Sequence, residues 1–121
     1  MKIRIKENSI RFRLSRSEVD KFAKETKLEE TTSFINTSLK YAIEIFSGEV
    51  MHADFSGSKI TMYIPRELAN KWVTTNMVGI DFNMPLDENN HLYLLIEKDF
   101  KCRDMDPEGQ SDYFTNPMDS C

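Results

Sequence analysis

Five cations alternate with apolar residues at the start of this chain: Lys2, Arg4 and Lys6 flank Ile3 and Ile5, and Arg11 and Arg13 flank Phe12. Alternation with a period of two puts successive side chains on opposite faces of a strand, so the cations share one face. With Arg16 just beyond, the candidate nucleic-acid-binding set is Arg4, Lys6, Arg11, Arg13 and Arg16. An arginine-bearing two-stranded ribbon can enter a major groove or track phosphates. The competing reading pairs these cations with acidic strands, or has an acidic segment fold over them. Charge is distributed unevenly: residues 1–27 hold nine Lys/Arg against four acids, and residues 28–121 hold seven against sixteen. Such asymmetry predicts a charged partner or internal pairing of the two ends. The overall charge of −4 argues against a strongly nucleic-acid-binding domain.

Other chemistry-bearing residues are sparse. Asp104, Asp106, Glu108 and Gly109 follow the spacing of the first half of a calcium loop, with Asp112 at the ninth position. The twelfth position is Thr115 rather than Glu, so no metal is expected, and residues 101–121 read as an acidic irregular tail. Tyr113, Phe114 and Met118 are the natural anchors if that tail binds a protein, because aromatic groups dominate such contacts. His52 and His91 fall in no recognisable pairing with Ser, Cys or Asp, and there is no glycine-rich phosphate loop. Glu29-Glu30 reads as a helix-exit loop rather than an acid/base pair. Cys102 and Cys121 have no neighbouring histidine; a disulfide between them is open. No catalytic residue and no cofactor is expected.

The elements that must position these residues follow from periodicity. Residues 2–14 predict a hairpin with its turn at Glu7-Asn8-Ser9. Ser15-Arg16-Ser17-Glu18 matches a capping box, and Val19, Phe22 and Ala23 give the helix over 16–26 one apolar face. Two strands follow between 28 and 46, the second centred on Leu39, Tyr41, Ile43 and Ile45. Ser47-Gly48-Glu49 then joins a second unit of the same plan. It has strands over 51–55 and 60–64, a helix opened by Pro65 at its first position, a strand through Ile80, Phe82 and Met84, and a last strand over 91–97.

The two units look like one unit written twice. Shifted by fifty residues, Met1, Ile3, Ile5, Ile10, Phe12, Leu14, Val19, Phe22, Ala23 and Leu28 fall on Met51, Ala53, Phe55, Ile60, Met62, Ile64, Ala69, Trp72, Val73 and Val78. At 40% apolar composition ten such matches have odds of roughly one in ten thousand. After a three-residue insertion, Leu39, Ile43 and Glu44 fall on Leu92, Ile96 and Glu97. Phe22 and Trp72 are expected to be core, as are Leu14 and Ile64, together with Met62 and Met77.

Hairpin, short helix and hairpin within fifty residues resemble the swapped-hairpin domain of AbrB-type proteins. The local likeness is carried by Ile60-Thr61-Met62-Tyr63-Ile64-Pro65-Arg66-Glu67-Leu68, similar to that family's strand ending in Ile-Pro before a Glu-Leu-containing helix. The resemblance implies a small barrel of interleaved hairpins, basic residues around the hairpin for DNA, and, as in some AbrB-like antitoxins, an acidic C-terminal segment that wraps a protein. The whole chain, with its Gln110-Ser111-Asp112 and Asn116-Pro117 tail, also resembles a small uncharacterised family of Bacteroidetes-type bacteria.

The resulting expectation is an α+β, barrel-like domain over residues 1–100, built from pseudo-repeats 1–48 and 51–100, with the tail over 101–121. The favoured role is non-catalytic binding or regulation in the bacterial cytoplasm, as monomer or homodimer, with a protein partner through the tail and no membrane. The alternatives are an AbrB-like DNA-binding regulator or antitoxin, with weak DNA binding through the basic hairpin, and a small-molecule-binding barrel or enzyme.

Overall fold

The computed structural model describes residues 1–100. Eight strands and two helices follow the order β1 (Lys2–Lys6), β2 (Ser9–Leu14), α1 (Arg16–Glu25), β3 (Lys27–Ser33), β4 (Ser38–Phe46), β5 (His52–Ser56), β6 (Lys59–Pro65), α2 (Arg66–Thr74), β7 (Gly79–Pro85) and β8 (His91–Lys98). The strands form two four-stranded sheets, one ordered β1-β2-β8-β7 and the other β3-β4-β6-β5. Each sheet is two antiparallel hairpins joined at its centre by a parallel pair, β2 with β8 and β4 with β6. At the parallel seams Phe12 lies opposite Ile96, and Met62 opposite Ile43.

The class is α+β, but the expected closed barrel does not form. β1 and β7 edge one sheet, β3 and β5 the other. The reason is the bulk between them. Phe12, Phe22, Met62, Trp72, Leu14 and Ile64 are fully buried, and two sheets packed over such side chains sit about 10 Å apart, beyond backbone hydrogen-bond reach. Across one margin the sheets meet through side chains instead: the Met1 ammonium bonds both Glu18 and Glu30. Near the opposite margin the Ala53 N–H reaches Met84 Sδ.

The helices pack where the strands enter and leave them, and Phe22 of α1 meets Trp72 of α2 edge-on, with ring centres 6.4 Å apart. α1 carries the capping box in full: Ser15 Oγ accepts from the Glu18 N–H, and the Glu18 carboxylate accepts from the Ser15 N–H. Its exit is a left-handed Thr26 whose N–H reaches the Phe22 carbonyl. The apolar stripe is narrower than its spacing implies, since Val19 and Phe22 are buried but Ala23 is exposed. Pro65 is also displaced from its expected place. It closes β6 opposite Phe46 and sits at the N-cap of α2 rather than in its first turn, where proline's missing N–H again costs nothing. Glu29 and Glu30 belong to β3, not to a helix-exit loop, because α1 ends abruptly at Thr26 and the strand starts on the next residue. At Gly79 a Cβ would come within 2.9 Å of the Ile96 carbonyl oxygen, so this close β7–β8 approach requires glycine.

Candidate binding face

Register makes the outer face of the first sheet explicit. Lys2, Arg13, Glu97 and Gly79 form one row across the four strands; Arg4, Arg11, Leu95 and Asp81 form the next; Lys6, Ser9, Tyr93 and Asn83 form the third. The alternation of β1 and β2 therefore gathers all five cations on one sheet face, while Ile3, Ile10 and Phe12 pack towards the core. Arg16 stands apart, in the first turn of α1.

Charge on this face is divided. Arg13 Nε donates to Glu97 Oε1 at 2.6 Å, with Arg11 Nε 3.7 Å from the same oxygen. Lys2 Nζ donates to Asp99 Oδ2 at 2.9 Å, just past the end of β8. Tyr93 donates its hydroxyl to Asp81 Oδ2 at 2.8 Å, and that bond, with burial, pushes the phenol above its ordinary range. Arg4 and Lys6 are exposed, and among the described residues neither makes an ion pair. Arg4 also lies directly opposite Arg11, a like-charge placement that disfavours pairing of the strands. The face thus combines cations neutralised on β2 and at Lys2 with Arg4 and Lys6, which meet no acid among the described residues.

The second sheet carries different chemistry at matching places. Its rows are His52, Tyr63, Glu44 and Lys27; Asp54, Thr61, Ala42 and Glu29; and Ser56, Lys59, Lys40 and Thr31. Lys59 Nζ binds Glu29 Oε1 at 2.5 Å across the sheet, while Thr61 and Ala42 are buried. That bond holds the Glu29 carboxyl below its ordinary range and the Lys59 ammonium above it. His52 stacks on Tyr63, with ring centres 4.8 Å apart, and Phe46 closes edge-on over both. Beside this trio an open cleft of about 710 Å³ lies between Ser47–Glu49 and the start of α2, with Arg66 and Lys71 on its wall.

Neither histidine is brought to a catalytic arrangement: His52 belongs to the aromatic trio, its Nδ1 3.1 Å from the Val50 carbonyl oxygen, and His91 starts β8 at the surface. Among the described residues no group of three or more His, Cys, Asp and Glu could hold a metal ion. Tyr113, Phe114 and Met118, the calcium-like run and both cysteines lie outside the described residues.

A family of unknown function (DUF7009) has a model that matches residues 1–118. The chain belongs to that family. No curated protein and no solved structure matches it. No helix of this DUF7009 chain, among the described residues, is long and apolar enough to cross a membrane.

Two features of the DUF7009 chain escaped the sequence. Glu97 and Asp99 are the acids that pair with the basic face, while Asp81 accepts from Tyr93 beside it, and the only trace of this was Glu97 falling on Glu44 in the repeat. Phe34 and Ile35, at the β3–β4 turn, are exposed, as are Ile5 on edge strand β1 and Phe55 on edge strand β5. Phe34-Ile35 beside Asn36-Thr37 was a legible signal, an apolar pair inside a turn.

Proposed function

We propose that this protein is a non-catalytic binding or regulatory module of the bacterial cytoplasm whose working surface is the outer face of the first sheet, and whose partner is an acidic protein segment. One observation carries the reading: among the described residues Arg4 and Lys6 stand exposed and un-ion-paired on the β1 edge, with Arg4 set against Arg11 at a cost to the hairpin itself. A surface arranged for stability alone would set an acid, not a second arginine, directly opposite Arg4; the acid of that row, Asp81, lies three strands away on β7. An edge strand with unused backbone groups beside a row of cations suits an extended acidic peptide, which can add a strand and pair its carboxylates. Duplex DNA fits less well, because a duplex laid across the four strands meets Asp81 and Glu97 on the far half.

The same reading takes the chain as a tandem duplicate of an AbrB-like swapped-hairpin unit. What supports it is the pairing. β1-β2 joins β8-β7, and the corresponding β5-β6 joins β4-β3. The registers Phe12 to Ile96 and Met62 to Ile43 match under the fifty- and fifty-three-residue shifts. Tyr93 N–H to the Asn8 carbonyl answers Lys40 N–H to the Ser58 carbonyl. Phe22 and Trp72, the expected counterparts, touch each other, as counterparts beside a twofold axis must.

The test is binding of the full chain to a fluorescein-labelled oligo-glutamate peptide and to random duplex DNA over a salt series. Salt-steep binding of the peptide, weakened about tenfold or more by Arg4→Glu with Lys6→Glu, is expected. Binding of DNA in preference to the peptide would replace this reading with the regulator alternative. Binding of neither at low salt would end it.

A further inference from the structure

The chain carries a second acidic candidate for that face besides any external partner. We propose that residues 101–121 of this same chain dock along β1 and β2, covering the basic face in the resting protein; the inference rests on the reading of that face as the binding surface.

The direction in which the chain leaves the sheet is the first argument. β8 ends at Lys98, opposite Leu14, and the Asp99 N–H then donates to the Leu14 carbonyl at 2.8 Å. Asp99 Oδ2 accepts from Lys2 Nζ at 2.9 Å. The first carboxylate past β8 is therefore already on the first cation of the hairpin, two strands away, and the rest of the chain starts from the end of β1.

Charge and reach agree with that start. Residues 101–121 hold five acids, Asp104, Asp106, Glu108, Asp112 and Asp119, against Lys101 and Arg103. Lys2 to Lys6 spans about 13 Å of strand, and residues 100–104, if extended, cover about the same length. Asp104 and Asp106 can thus reach Arg4 and Lys6, the cations without an acid among the described residues. On the second sheet Lys59 is already held by Glu29, and Lys27 and Lys40 belong to the sheet that the chain does not leave from. A segment tethered at the edge of its target acts at high effective concentration, so even a weak contact is well populated.

The experiment compares the full chain with a full-length variant carrying Asp104→Asn, Asp106→Asn, Glu108→Gln and Asp112→Asn. Backbone amide NMR shifts and oligo-glutamate affinity are read for both. The expected result is displacement of the Arg4, Lys6 and Arg11 amides, with Thr61 on the second sheet unmoved, and an affinity gain of about tenfold, as follows when a competitor occupies the face nine-tenths of the time. Arg4→Glu with Lys6→Glu should move the amides of residues 104–112 in turn. Unchanged β1 and β2 amides on neutralising the tail, with equal peptide affinity for both chains, would overturn the inference and leave the proposed function standing. Shifts that grow with protein concentration would also overturn it, since the segment would then be reaching a second copy. Concentration-independent shifts, with no peptide or DNA bound by either chain, would support the inference while removing the wider binding role.

Discussion

On the first sheet the central row reads Arg4, Arg11, Leu95, Asp81; on the second, the corresponding row reads Asp54, Thr61, Ala42, Glu29. The strand order, the parallel seam and the buried residues beneath are alike, whereas the outer faces differ. The second face is sealed: the Lys59–Glu29 pair joins neighbouring rows, and Ala42 and Thr61 are 0% and 5% exposed. Like charges are opposed on both, Arg4 with Arg11 and Lys40 with Lys59, but on the first the acids Glu97 and Asp81 lie on the other half, and Arg4 and Lys6 make no ion pair among the described residues. The frame evidently does not need a basic face to fold, because the same frame folds with a neutral one. That difference makes the first face the place to look for binding.

The strongest test of the shared interior is at the two helices. Phe22 and Trp72 are both fully buried and in mutual contact. Phe22→Ala and Trp72→Ala are each expected to cost about 3–5 kcal/mol, and their double-mutant cycle to show coupling of about 0.5–1.5 kcal/mol. Chemical denaturation followed by fluorescence and circular dichroism checks both. Coincident transitions for every variant are expected if the halves share one core. Separate transitions, or no coupling, would break the comparison, since the two sheets would then be independent rather than two versions of one plan.

The parts legible in the sequence were those set by local pattern. Period-two alternation placed β1, β2 and β6 within a residue or two, and Ser15-Arg16-Ser17-Glu18 placed the start of α1 by its capping chemistry. The apolar matches between the units correctly nominated Leu14, Phe22, Met62, Ile64 and Trp72 as core. Sheet order was not legible, because a parallel seam between β2 and β8 joins residues some eighty positions apart and leaves no local trace. The closed barrel failed for a related reason: periodicity reports which face is buried, not how far apart two buried faces are held. The basic face was legible as a row of cations but not as a partly neutralised one. Glu97 and Asp99 reach Arg13 and Lys2 only through that long-range pairing.

Next in size is the contrast within the first face. Glu97 is largely buried under the guanidiniums of Arg13 and Arg11, so Glu97→Gln should release both cations and bring the face closer to uniform basicity. A stability loss of about 0.5–1 kcal/mol is expected, as for a partly exposed pair, together with a gain of roughly threefold in oligo-glutamate affinity. Fluorescence anisotropy at low salt reads the gain. Unchanged affinity would mean that the β2 cations lie outside the footprint and that the β1 edge alone binds.

The smallest effect belongs to the sealed face, and its sign comes from the directions of the two shifts. The Glu29 carboxyl is held below its ordinary 4.5, first by the hydrogen bond from Lys59. Its contribution to stability is present above that ordinary value and is lost as pH falls through the folded one. The Lys59 ammonium is held above its ordinary 10.5, first by the same bond. Its contribution is full below 10.5 and is lost as pH rises through the folded value. The pair therefore supports the sheet across the neutral range. Both side chains are about one-third exposed, 32% for Glu29 and 29% for Lys59, so solvent screening limits the worth of the pair to about 0.5 kcal/mol, or about 2–4 °C in Tm. Glu29→Gln should lower Tm by that amount at neutral pH and by less in acid, where the wild-type carboxyl is itself protonated. Lys59→Ala should cost more than Glu29→Gln, since it also removes an aliphatic stem lying over the sheet. Equal losses from the two substitutions would mean that the seal is purely electrostatic, and the second face would then be only a differently charged surface rather than a closed one.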